Sequence, residues 1–163
     1  MTCGVSEIRV IGIGNTDRGD DAVGIAAARA VAALELPDVC VQEVPDGGLD
    51  LLEVWHGARA VLIVDAMHSS ASPGAVRRFD AHRAPLPSVW ARTSSHTLGI
   101  TEAVELGRLL DQLPPRVTVY GIEARCCEPG EELSAEAARG VCESVRLMVE
   151  EIGWLLSQAM PHA

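Results

Sequence analysis

The chain of 163 residues contains no lysine, and all 13 of its basic side chains are arginine. Schiff-base chemistry, a pyridoxal phosphate anchor and a Walker-type phosphate lysine are therefore excluded. Aromatic residues are scarce, with three Trp, one Tyr and one Phe, which leaves few anchors for a large interface and makes a monomer the default expectation. The five cysteines (Cys3, Cys40, Cys126, Cys127, Cys142) show no CxxC spacing. Neither a zinc ribbon nor a disulfide framework is expected, and reduced thiols in a cytoplasm are the simpler reading. No segment has the basic start and apolar middle of a signal peptide. The longest apolar stretches, around Gly24–Leu36 and Ala60–Val64, are too short or too charged to span a bilayer. GxSxG, HExxH and Asp-Thr-Gly patterns are also missing. The expectation is a soluble cytoplasmic protein with no membrane partner.

Apolar residues make up 48% of the chain, too many for a disordered polymer. Acidic residues number 23, for a formal charge of −10, so a general nucleic-acid partner is not expected. The length suits one domain over residues 1–163, large enough to bury roughly 70% of the surface of the unfolded chain.

Strand and helix patterns alternate. Ile8–Gly14 and Val39–Val44 are short and β-branched, and Ala60–Val64 is the most apolar segment, as expected of a strand in the middle of a sheet. Ala75–Phe79 reads as an edge strand and Arg116–Ala124 as a further strand. Helices are expected near Asp21–Leu34, after the Pro45–Gly48 turn to about His56, over Thr97–Leu113 and over Leu133–Leu156. In the last, Ala138, Val141, Val145, Met148, Ile152 and Leu155 form a core-facing stripe. The fold class is therefore α/β. It is a three-layer sandwich with a central, mostly parallel twisted sheet of about five strands and helices on both faces.

In such sheets reactive groups gather in loops at the carboxyl ends of strands. Three segments qualify: G-I-G-N-T-D-R-G-D-D-A-V-G after the first strand, Asp65 after the central strand, and R-T-S-S-H-T carrying His96. The glycines at 12, 14 and 19 miss the GxGxxG spacing of a dinucleotide turn. Asp17, Asp20 and Asp21 stand where a pyrophosphate would sit. A carboxylate at about 4 Å from a phosphate costs on the order of 4 kcal/mol at an intermediate dielectric, before screening. A phosphate site is excluded. Carboxylate oxygens and an imidazole suit nickel, zinc or iron, and three protein ligands leave positions open. The residues by themselves also fit plainer roles: Asp21 as a helix cap, Asp65 capping loop amides, His96 as a polar loop residue. His68 is a candidate auxiliary ligand, while His56, His82 and His162 lie in surface, polar or terminal segments.

The first loop resembles the signature of the hydrogenase maturation endopeptidases, which trim the C-terminal tail of the nickel–iron hydrogenase large subunit. The resemblance continues through D-G-G at Asp46–Gly48, V-D-A at Val64–Ala66 with a later P-G, and S-S-H-T-L-G-I at Ser94–Ile100. It extends to V-Y-G-I-E at Val119–Glu123 and E-L-S-A-E at Glu132–Glu136. It implies that Asp21, Asp65 and His96 form the nickel-recognition and catalytic site. The nickel would arrive inside the large-subunit precursor, so that only a loaded precursor is cut. Cleavage would follow from polarisation of the scissile carbonyl or activation of a bound water, with a carboxylate as base. Two residues depart from the family pattern, Asp17 in place of an apolar residue and Ala22 in place of a common glycine. A non-catalytic, nickel-dependent chaperone and a related protease with a non-hydrogenase substrate are the alternatives.

Overall fold

The computed structural model describes residues 8–45, 47–90 and 98–158. Five strands, β1 (Ile8–Ile13), β2 (Val39–Val44), β3 (Ala60–Met67), β4 (Val76–Asp80) and β5 (Val117–Glu123), form one sheet in the order β2-β1-β3-β5-β4. All pairings are parallel except β4 with β5. Four helices, α1 (Val23–Ala32), α2 (Asp50–Val54), α3 (Ile100–Leu109) and α4 (Ala135–Gln158), cover it. The expected α/β class is observed, and the strand of purest apolar character lies in the middle.

Side-chain alternation along the strands divides the core into two layers. Val61, Ile63 and Met67 of β3 join Leu51 and Trp55 of α2 and Ile100, Ala103 and Val104 of α3 on one face. Leu62, Val64 and Ala66 join Val23, Ala27 and Val31 of α1 and Met148, Ile152 and Leu155 of α4 on the other. A strand covered on both faces has no polar side to present. That explains the unbroken apolar run, since each large aliphatic side chain so buried contributes about 1.5–3 kcal/mol relative to exposure.

Several boundaries differ from expectation. β3 runs on through Met67, because Asp65, Ala66 and Met67 continue to pair with Gly121, Ile122 and Glu123. Asp65 is therefore a strand residue and not the first residue of a loop. The segment after β1 enters a 3₁₀ turn, Gly19–Ala22, before α1 begins. Helix α3 is shorter than expected: the Glu102 carboxylate accepts the Gly99 N–H at 2.9 Å and sets its start, and Asp111 at φ 55° closes its end. In the amino-terminal half of α4 the fully buried residues are Ala137, Gly140 and Ser144, while Val141 and Val145 of the expected stripe are half-buried against the same core and Ala138 is exposed. Gly140 meets the chain at Gly74, where an added Cβ would stand 2.6 Å from the Gly74 carbonyl oxygen. Only the smallest side chains fit that contact. Cys40 is disulfide-bonded, against the expectation of reduced thiols throughout, whereas Cys126 and Cys142 are free.

Candidate functional site

Strand order places the loops. From β1 the chain crosses to β2 on one side, and from β2 it crosses back over β1 to β3 on the other. The connections thus diverge above β1 and β3, the switch point at whose carboxyl side open α/β sheets carry their ligand crevice. Asp21 lies in the 3₁₀ turn after β1, and Asp65 is the third-last residue of β3. The turn packs directly against β3. Two of the three expected residues are brought to neighbouring strand ends in this way. His96 lies outside the described residues, as do Ser94, Ser95, Thr97, Asp46 and His162. The described chain continues at Leu98, whose carbonyl oxygen stands 2.9 Å from where a Cβ on Gly48 would be, beside the loop after β2.

Both carboxylates are nearly inaccessible, Asp21 at 3% and Asp65 at 6% relative exposure. Asp21 Oδ2 accepts the Asn15 N–H at 3.1 Å, and Asp65 Oδ1 accepts the N–H of Ala66 at 2.8 Å. These bonds help to orient the two groups. Alternation puts Asp65 on the α2/α3 face of the sheet, in line with Ile63 and Met67. Glu123, at the end of β5 opposite Met67, is 3% exposed and accepts the N–H and hydroxyl of Ser69, the latter at 2.7 Å. It steadies the turn that leaves β3. His68, the proposed auxiliary ligand, is exposed, as are His56 and His82. Among the described residues there is no group of three or more His, Cys, Asp or Glu side chains arranged to hold a metal.

Sequence reading missed the role of Asp20. It had been grouped with Asp17 and Asp21 as one acidic loop, yet it is fully buried and its carboxylate faces away from that loop. Its Oδ1 accepts the Ser134 N–H at 2.7 Å, and its Oδ2 accepts the Arg125 N–H and the Ser134 hydroxyl, each at 2.8 Å. Burial alone would raise this carboxyl; the amides of Ser134 and Arg125, with the Ser134 hydroxyl, outweigh it and hold the group below the usual carboxylate value. Asp17, by contrast, is exposed and tied to the same neighbouring segment only through its carbonyl, which accepts the Gly130 N–H at 2.8 Å. The S-A-E motif at Ser134–Glu136 was the one available signal. Ser134 caps α4, its Oγ accepting the Ala137 N–H at 3.1 Å, but nothing local in sequence names Asp20 as its partner.

The chain matches the family described as hydrogenase maturation protease over residues 28–152. The hydrogenase 2 maturation protease of Escherichia coli is 30% identical over 131 residues, covering 75% of this chain and 76% of the relative. The hydrogenase expression/formation protein HoxM of Cupriavidus necator is 29% identical over 126 residues, covering 74% of this chain. That match takes in 58% of HoxM, so the chain spans little more than half the length of some relatives. Among solved structures, the hydrogenase maturating endopeptidase HybD from E. coli superposes with a TM-score of 0.74 at 23% identity, over 90% of this chain and 91% of that one. The sheet order and these likenesses agree, and the chain belongs to the hydrogenase maturation protease family.

Proposed function

We propose that the protein is a processing endopeptidase that removes the C-terminal extension from a nickel–iron hydrogenase large-subunit precursor already holding nickel. In this reading Asp21, Asp65 and His96 supply the oxygen and nitrogen ligands that grip the nickel of the bound precursor. The observation that carries the reading is the delivery of Asp21 and Asp65, remote in sequence, to adjacent strand ends at the topological switch point.

The physical logic is that of a checkpoint. Two carboxylates held at 3% and 6% exposure sit in a medium of low effective dielectric, where attraction to a divalent cation is strong. A nickel-loaded precursor gains that attraction, and an empty one does not. The same cation draws electron density from a nearby peptide carbonyl or bound water, and a carboxylate is available as base. The donors present suit a borderline metal such as nickel better than a soft one, since no thiolate joins them. The Cys126 and Cys142 thiols are free, which fits action in the cytoplasm, while the disulfide at Cys40 speaks against it. No helix among the described residues is long and apolar enough to cross a membrane, and the few aromatics favour a monomer.

Intact-mass measurement of the precursor, nickel-loaded and nickel-free, before and after incubation with the protein, tests the proposal. Loss of the extension from the loaded precursor alone is expected. A nickel-dependent complex with unchanged precursor mass would point instead to a non-catalytic chaperone.

A further inference from the structure

The Asp20 carboxylate, immediately before Asp21, accepts from four donors. It is 0% exposed and is held by one short segment, residues 125–134, that joins β5 to α4. Besides the three bonds described above, its Oδ2 lies 3.4 Å from the Cys126 N–H. Its own N–H donates to the Cys126 carbonyl at 2.8 Å, so the Asp20 backbone and side chain grip both sides of the same peptide region. On either side the attachment continues. Gly19 N–H donates to the Glu131 carbonyl at 3.0 Å, Gly130 N–H to the Asp17 carbonyl at 2.8 Å, and the Arg18 guanidinium to the Cys127 carbonyl at 3.3 Å.

The turn that bears Asp21 has little of its own to hold it. It is four residues of 3₁₀ helix without a side-chain cap at its start, and short 3₁₀ segments have poor hydrogen-bond geometry. Asp21 nonetheless has to stay in one place if it is to meet a cation at a fixed point. The chain solves this by turning the preceding residue the other way. Asp20 plugs into the amides that begin α4, and Ser134 serves two masters: its Oγ donates to Asp20 and accepts the Ala137 N–H that caps the helix. A helix of 24 residues, with Met148, Ile152 and Leu155 anchored in the core, thereby braces a four-residue turn.

We infer that Asp20 and Ser134 form a positioning clamp that sets Asp21 for recognition of the nickel-loaded precursor. The inference rests on the function proposed above. Asp20 is not itself a ligand, because its lone pairs are occupied by amide and hydroxyl donors facing away from the crevice. In Asp20→Asn one oxygen is replaced by an NH2 group that meets another donor, either the Ser134 amide or the group around Arg125. The turn then loosens and Asp21 loses its fixed place. Ser134→Ala removes the hydroxyl and keeps the backbone N–H, and is the milder lesion. Ser134→Thr restores the hydroxyl.

The test measures affinity of the full-length protein for nickel-loaded and nickel-free precursor, alongside thermal melting. Supporting residues behind metal ligands typically contribute about 10–100-fold to metal affinity. Asp20→Asn is therefore expected to lose about 10–100-fold of the preference for loaded precursor, with affinity for the empty one unchanged and a cooperative melt retained. Ser134→Ala loses a smaller part, and Ser134→Thr recovers it. An unchanged preference in both variants overturns the inference, as does equal weakening toward both precursors, which marks general damage to the docking surface. If Asp20→Asn does not fold, the Ser134→Ala and Ser134→Thr pair carries the same test. Hydrogen exchange at the Asn15 amide, the donor to Asp21, needs no precursor. Faster exchange in the clamp variants supports the inference, and unchanged exchange overturns it. A wild-type protein indifferent to nickel, with the Asn15 amide still released in the variants, would remove the nickel reading while leaving the clamp.

Discussion

Gly24 of α1 lies so close to the Val64 carbonyl that an added Cβ would stand 2.4 Å from the oxygen. The same Cβ would stand 2.1 Å from the Ile13 carbonyl oxygen, so the first turn of α1 rests on the ends of both β1 and β3. Val64 precedes Asp65, and Gly24 follows Asp21 by less than one helical turn. Their contact is the backbone reason that the turn bearing Asp21 sits beside the segment of β3 bearing Asp65. Neither carbonyl oxygen is the end of a flexible side chain, so neither can give way cheaply.

Gly24→Ala is accordingly expected to push α1 off the sheet although alanine is the better helix former. Overpacking of this kind costs about 1–3 kcal/mol. At about 2–4 °C per kcal/mol for a chain of this size, thermal melting should report a clear fall. Precursor processing should fall further than stability alone explains, because Asp21 and Asp65 move apart. A melting temperature equal to the wild type would contradict the contact.

Two glycines of α4 should respond in opposite directions. Gly140→Ala puts its Cβ against the Gly74 carbonyl and the Ile122 side chain, each at 2.6 Å, and is expected to destabilise. Gly153 has nothing within 4 Å of an added Cβ. Gly153→Ala should gain about 0.5–1 kcal/mol from reduced chain entropy and better helix propensity. Paired denaturant melts decide this, and a loss of stability at Gly153→Ala would be the contrary result.

On the outer edge of the sheet, Glu151 of α4 accepts from the Arg78 guanidinium at 2.9 Å, the Thr118 hydroxyl at 2.7 Å and the Tyr120 hydroxyl. Burial pushes its carboxyl up, but the Arg78, Tyr120 and Thr118 bonds prevail and hold it below the usual glutamate value. Tyr120 is pushed up, by burial first and then by the Glu151 carboxylate beside it. A carboxylate depressed in the folded state contributes stability that is complete above the unfolded glutamate range and disappears as the pH falls through its folded value. Glu151→Gln should therefore cost about 1–3 kcal/mol near neutrality and much less in acid. Urea titrations at pH 7 and at pH 3 measure the difference. An equal cost at both values would show that the charge is not responsible.

The layers were legible because burial on both faces leaves β3 an uninterrupted apolar run from Ala60 to Val64 and β1 one broken only by Arg9, and because β2 and α2 have clean turn residues between them. The stripe on α4 gives Val141 and Val145 at the margin of the core but not Gly140 at its centre, because periodicity reports hydrophobic residues while the contact at Gly74 selects small ones. Asp65 was read as a loop residue since the apolar run stops at Val64. Pairing with β5 carries the strand past it. The positions of Asp21 and Asp65 near strand ends follow from the pattern of apolar runs, but the partners of Asp20 do not. Its four donors belong to Arg125, Cys126 and Ser134, more than a hundred residues away, and no spacing within a loop encodes such a partner.

The grip of the crevice carboxylates on a nickel-bearing substrate is tested most directly by replacing them one at a time. Intact-mass analysis of nickel-loaded precursor incubated with Asp21→Asn, Asp65→Asn and His96→Ala is expected to show the extension still attached in every case. Circular dichroism and melting should show the fold preserved. Removal of the extension at the wild-type rate by any of the three would contradict the role assigned to that residue, and removal by both aspartate variants would contradict the reading as a whole.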